Sequence, residues 1–264
     1  MNSLIQELLQ IHERDAEHLG IIPWSSPIPG FGNFQSAPLA TMGINPSNRE
    51  FTCSENIELE GASRRFPTLR SMGLERWTAA GPREQKAIIS ACLHYFSGTP
   101  YDLWFGKLDG IIKGTGYSFY QTETPACHLD LVPWATRKKW SYLNSTSRRR
   151  LVNQGAPFLA EIINSSSIRV IVLNGRTVIE GLLEIAEHEG QSRKMKTWEL
   201  PRNSTPGVSG YAFEGFLHSI GGVKLRKKIY YLGYNHNLQS SFGVTKSVQS
   251  SIGSWITRKA AAHL

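Results

Sequence analysis

Four short polar stretches each follow an apolar run, and they hold the side chains best suited to chemistry. Asn45 stands in MGINPSNREF (42–51), His128 and Asp130 in ACHLDLVPW (126–134), Asn174 in IRVIVLNG (168–175), and His236 in GYNHNLQSSFG (233–243). A carboxamide orients a partner but cannot take a proton as a carboxylate could, so it suits positioning. An imidazole can donate a hydrogen bond to an oxygen on which charge gathers. An ionised carboxylate only accepts. The three cysteines, Cys53, Cys92 and Cys127, form no CxxC pair and are too few for a four-thiolate cluster, so they read as reduced, partly buried thiols.

The elements that must carry these residues follow from the apolar pattern. Leu4, Ile5, Leu8, Leu9 and Ile11 recur at helical spacing within an N-terminal helix over 1–20. The stretch 21–36 is rich in proline and glycine and reads as loop. PLATMGI (38–44) is a buried strand running into the Asn45-Pro46-Ser47 turn, where Ser47 and Asn48 suit the cap of a following helix. Helices are expected over 82–96, 156–164 and 177–188, and a closing helix over 244–262. Strands are expected over 126–132, stopped by Pro133, and over 168–173, where β-branched residues dominate. Residues 191–209 read as a polar loop; 211–220 and 224–232 read as strands joined around Gly221-Gly222.

Strands alternating with helices predict one α/β domain over 1–264: three layers, α/β/α, around a central, mainly parallel sheet of four to five strands. In such sheets the ligand crevice lies outside the carboxyl ends of the strands. The polar turns named above should therefore gather on one edge.

The chain has 264 residues, of which 40% are hydrophobic, enough for a sizeable core. Its net charge of +8 comes from 29 basic and 21 acidic residues, and this excess favours a polyanionic partner. Basic clusters occur at Arg64-Arg65, Arg137-Lys138-Lys139, Arg148-Arg149-Arg150 and Lys224 to Lys228. The first of these groups to lie just past a predicted strand end, Arg137 to Lys139, is the best phosphate candidate. No run approaches the roughly 18–20 apolar residues of a membrane span. The N-terminal stretch carries Glu7, Glu13, Asp15 and Glu17 and lacks a signal peptide's basic start and apolar core, so a cytoplasmic protein is expected, and a monomer.

MGINPSNREF resembles the first active-site motif of the uracil-DNA glycosylase superfamily, which in several branches reads G-[IM]-N-P-[GS]. GYNHNLQSSFG is similar to the second motif, H-P-S-P-L-S and its variants, which stands between the last strand and the last helix. CHLDLVPW resembles the strand that carries the base-reading residue, and IRVIVLNG the strand after it. Order and spacing agree over about 200 residues. The resemblance implies a uracil-DNA glycosylase-like fold and a monofunctional DNA N-glycosylase. Such an enzyme flips a nucleotide into a pocket and hydrolyses its glycosidic bond without metal, cofactor or covalent intermediate, leaving an abasic site. The three cysteines argue against the iron–sulfur branches.

By the same resemblance Asn45 would orient the attacking water and offer its carbonyl oxygen towards the sugar, and His236 would donate a hydrogen bond to the pyrimidine O2 as charge gathers there. Gly43, Ile44, Pro46 and Ser47 would line the base pocket, with Phe51 stacking on the base or serving as a core aromatic. His128 and Asp130 are the polar candidates for reading the base edge, and counting back from Pro133 favours Asp130. Asn174 sits at a strand end, although Asn-Gly is also an ordinary turn dipeptide. Arg137, Lys138, Lys139, Asn237, Leu238, Gln239 and Ser240 would contact DNA, with Leu238 or Gln239 as the wedge that fills the gap left by the flipped base. The loop departs from the family here, reading Asn-Leu-Gln after the histidine.

Two departures bear on substrate. Enzymes strict for uracil carry a tyrosine two residues after the catalytic Asp/Asn position, which blocks substituents on C5; this chain has Ser47 there. Asp130 would suit the N4 amino group of cytosine better than the O4 of uracil. Both favour a C5-modified cytosine, as excised by phage-defence glycosylases that act on glucosylated hydroxymethylcytosine. A uracil or mismatch repair glycosylase, an inactive DNA-binding module of the same fold, and a hydrolase of free nucleosides or RNA stay open as alternatives.

Overall fold

The computed structural model describes residues 1–98, 102–201, 207–239 and 243–264. Its strands are β1 Leu39–Gly43, β2 Ala126–Asp130, β3 Val170–Asn174, β4 Ala186–Leu200, β5 Val208–Ile220 and β6 Val223–Tyr234. They form one sheet in the order β2-β1-β3-β6-β5-β4. The first four in that order are mutually parallel; β5 and β4 extend the sheet as antiparallel strands.

Every residue of β1, β2 and β3 is buried, as expected for short parallel strands covered on both faces. The cover comes from α1 Asn2–Leu19, α2 Leu69–Met72, α3 Pro82–Leu93, α4 Asp102–Ile112, α5 Ser145–Asn164, α6 Arg176–Ile185 and α7 Lys246–Ala260. Helix α5 packs on β5 and β6, and α6 on β3, β4 and β6; α4 packs on α7, which lies against β4 and β6. A second apolar cluster, built from Ile5, Leu8 and Leu9 of α1 with Trp77, Ile88, Trp134 and Leu151, fastens α1 over α3 and α5. The arrangement is a mixed α/β fold with a central sheet between helices.

The stretch 191–209, expected as loop, is corrected over most of its length: β4 runs to Leu200. Its side chains from Glu187 to Lys194 are exposed, so the apolar alternation that marks a half-buried strand is missing. Backbone pairing with β5 makes the strand instead, and the chain turns from β5 into β6 at Gly221-Gly222, whose φ of 57° and 78° favour glycine. The sheet consequently has six strands rather than four to five.

Helix α5 begins at Ser145, eleven residues before the expected start. Its first half is polar, so the apolar pattern marked only the second half. The N-terminus is set instead by Asn144, whose side chain accepts from the Ser147 amide at 2.8 Å. Among the described residues no helix is long and apolar enough to cross a membrane.

Candidate active site

Because β2, β1, β3 and β6 are parallel, the turns after them open on one edge of the sheet. A cavity of about 440 Å³ lies there. Gly43, Ile44 and Asn45 line it from the end of β1, Lys139 and Trp140 from the segment after β2, and Asn174 and Gly175 from the end of β3. Asn237 and Gln239 close it from the turn after β6, and Trp104 of α4 completes the wall. The cavity thus lies on the edge expected from sequence, and residues from three of the four expected turns meet in it; after β2 the lining comes instead from Lys139 to Ser141, beyond the stretch 126–134.

Asn45 is held at its amide nitrogen. Nδ2 donates to Pro46 O at 3.1 Å and Thr136 Oγ1 at 3.1 Å, with Trp134 O at 3.5 Å. The strand end beneath it is tied to the continuation of β2, since Leu131 N and Val132 N donate to the carbonyls of Gly43 and Ile44. Pro46 is buried, whereas Ser47 is exposed. Ser47 caps the single 3₁₀ turn Asn48–Glu50 by accepting from the Arg49 amide at 3.1 Å, and it is not among the residues lining the cavity.

Behind Gly43 lies a buried polar chain. Thr41 Oγ1 is 2.7 Å from His128 Nδ1, and His128 Nε2 is 3.4 Å from Asp130 Oδ1. A Cβ at position 43 would stand 2.4 Å from that Asp130 oxygen and 3.0 Å from His128 Nε2, so only glycine lets the carboxylate approach β1 here. Trp104, on the cavity wall, meets the His128 ring edge-on at 5.1 Å. His128 and Asp130 therefore stand immediately behind the cavity, both buried.

Glu50 joins this buried region. Burial pushes its carboxyl up to about 7, and the Asp130 charge adds to the rise; Tyr95 Oη, donating at 2.8 Å, and Arg65 pull the other way. Phe51 packs inside the aromatic core against Trp24 and Phe66, with ring centroids 6.2 and 5.7 Å away, and is 1% exposed. Of its two expected roles, the core aromatic describes its position.

The turn after β6 is placed differently from expectation. His236 is buried, and its Nε2 lies 2.6 Å from the carbonyl oxygen of Trp198 in β4, which makes Nε2 the donor. Its neighbours line the cavity; the imidazole does not. Asn235 accepts from Tyr211 N and donates to Ser209 O, both in β5, so that with His236 on Trp198 the turn holds the ends of β5 and β4. Leu238 is buried in the core at 1% exposure. Tyr234 Oη donates to Asn174 Oδ1 at 2.9 Å, and Asn174 Nδ2 donates to Gln239 Oε1 at 3.0 Å, an ordered relay ending at the cavity. Ser240 lies outside the described residues.

The basic residues separate by position. Lys139 lines the cavity. Arg137 points to Glu17 of α1 at 2.5 Å, and Lys138 is exposed. Arg148 and Arg149 line a second cavity of about 230 Å³ between α5 and α6, which shares Ile44, Trp140 and Thr177 with the first. Burial raises the Cys92 thiol to about 12 and pushes Cys127 up as well, so both are inert in the core.

Sequence reasoning missed Thr136, Glu50, Trp104 and Trp140. Thr136 and Trp140 follow the second strand closely enough that its position gave a signal. Glu50 looks like a surface charge in sequence, and Trp104 is brought in by α4, which the apolar pattern did not reveal. No protein-family model matches the chain, and no curated protein sequence matches it.

Proposed function

We propose that the chain is a monofunctional DNA N-glycosylase with a uracil-DNA glycosylase-like fold, which hydrolyses the bond between sugar and a modified pyrimidine and leaves an abasic site. One observation carries the reading: Asn45 stands at the cavity on the carboxyl edge of the parallel strands, with its amide nitrogen bound by three oxygens behind it. A held amide at that place suits the orientation of a water towards C1′ of a nucleotide rotated out of the helix. Lys139 at the rim, with Arg148 and Arg149 beside it, supports a DNA backbone as the partner.

Asp130, behind Gly43, supports a base edge that donates from an amino group, as cytosine N4 does. Ser47 is small where a uracil-specific enzyme carries tyrosine, but it lies outside the cavity lining, so the C5 substituent rests on the resemblance alone. The favoured substrate is accordingly a C5-modified cytosine, glucosylated hydroxymethylcytosine included. His236 supports the departing base in this reading only after leaving the Trp198 carbonyl. That engagement favours a second reading, a DNA-binding module of the same fold without base release.

Incubation with duplexes carrying uracil, a thymine mismatch, or glucosylated hydroxymethylcytosine, followed by alkaline cleavage at abasic sites, separates these readings. Cleavage at the modified cytosine supports the favoured one, cleavage at uracil alone removes the C5 argument, and binding without cleavage of any duplex leaves the second.

A further inference from the structure

The two ends of a carboxamide are nearly identical in shape, yet only the oxygen end can accept from a water or face a cationic sugar. What decides which end meets the cavity is therefore a functional question. Around Asn45 the answer is written in hydrogen bonds. Thr136 has one hydroxyl proton, and it donates it to the carbonyl of Lys138 at 2.8 Å. Its Oγ1 can then only accept from the Asn45 amide end 3.1 Å away. The other two neighbours at that end, Pro46 O and Trp134 O, are carbonyls and also only accept. A reversed amide would set Oδ1 against three oxygens. Oδ1 itself has no hydrogen bond to any described residue, and Thr136 is 3% exposed, so bulk water does not compete for its position.

We infer that Thr136 is a positioning residue, whose committed hydroxyl fixes the Asn45 amide with its nitrogen inward and its oxygen presented to the cavity. The assignment rests on the reading of Asn45 as the group that orients water. It also predicts that the site is built for asparagine and against aspartate, because a carboxylate has no proton to give to the three surrounding oxygens.

The segment carrying Thr136 is itself anchored. Ile22 N donates to Ala135 O at 3.0 Å and Arg137 N to Gly20 O at 2.9 Å, which ties 135–137 to the chain leaving α1. Thr136→Val keeps the side-chain shape and removes the hydroxyl; Thr136→Ser keeps the hydroxyl.

The test combines side-chain amide NMR of the full chain with single-turnover base release. In the wild type, nuclear Overhauser contacts should join the Asn45 Nδ2 protons to the Thr136 side chain, and those protons should exchange slowly. Thr136→Val should speed that exchange and lower kcat by about tenfold or more with KM nearly unchanged, as expected for lost positioning; Thr136→Ser should restore both. Absence of the wild-type contacts overturns the assignment whatever the variants do. Unchanged exchange and kcat in a folded Thr136→Val also overturns it. A wild type that releases no base overturns the glycosylase reading alone, because the amide contacts are measured without DNA.

Discussion

His236 Nε2 lies 2.6 Å from the carbonyl oxygen of Trp198, which joins the turn after β6 to the end of β4. The imidazole thus holds the antiparallel extension of the sheet, and its side chain is buried while Asn237 and Gln239 beside it reach the cavity. His236→Ala should cost about 1–3 kcal/mol of stability, because a buried carbonyl loses its donor. Urea denaturation measures that part. If His236 also turns to support the departing base, kcat of the folded variant should fall by about 100-fold, the scale of a lost oxyanion donor. A stability loss with kcat intact would assign the residue to the sheet alone.

Asp130 offers a second, independent handle. Asp130→Asn replaces a group that only accepts with one that also donates. Relative kcat/KM should move from amino-bearing cytosine bases towards uracil, by about tenfold, the worth of one hydrogen bond of roughly 1–3 kcal/mol. Competition between the two duplexes in one tube measures the ratio directly, and an unmoved ratio would remove Asp130 from base reading.

Glu50 predicts the pH dependence of stability. Its folded-state value of about 7 lies above the model-peptide value of 4.5, so burial favours the protonated carboxyl. Its contribution is complete below pH about 4.5 and is lost as pH rises through about 7, on the order of 3 kcal/mol at most. His12 acts in the opposite direction. Burial lowers it from 6.5 to about 4, so its contribution is present above pH 6.5 and is lost as pH falls towards 4. Glu50→Gln should flatten the alkaline limb of a plot of melting temperature against pH between about 5 and 8, and leave the acid limb in place.

Lys139 and Arg137 should behave differently although only one residue separates them. Lys139 lines the cavity, whereas Arg137 is paired with Glu17 on the α1 side. Lys139→Ala should weaken duplex binding and reduce the slope of log K against log salt by about one. Arg137→Ala should change neither by much. Fluorescence anisotropy across a salt series checks both, and equal effects would place Arg137 on the DNA path as well.

Much of this architecture is legible in the sequence where burial writes a pattern. The three short strands β1, β2 and β3 are buried at every position, so their apolar runs stand out, and the turns after them follow. Strand β4 was hidden because its exposed side chains from Glu187 to Lys194 carry no alternation, and as an edge strand it is held by backbone pairing with β5 alone. The site divides along the same line. Gly43, Ile44, Asn45, Asn174, Asn237 and Gln239 were legible from their place at strand ends and do meet at the cavity. The direction of the His236 ring and the burial of Leu238 depend on packing against β4 and the core, which local sequence does not encode. Thr136 acts through the direction of one hydroxyl proton, a property visible only with Asn45 and Lys138 both in place.

The central claim is that Asn45 positions water for hydrolysis of a glycosidic bond. Its most direct test is single-turnover base release from a duplex containing glucosylated hydroxymethylcytosine, by the wild type and Asn45→Ala, with binding measured in parallel. The account predicts alkali-labile abasic sites with the wild type, a loss of about 100-fold or more in the variant, and binding within a few-fold. Equal release by the two proteins, or none by the wild type from this or the uracil and mismatch duplexes, would contradict it.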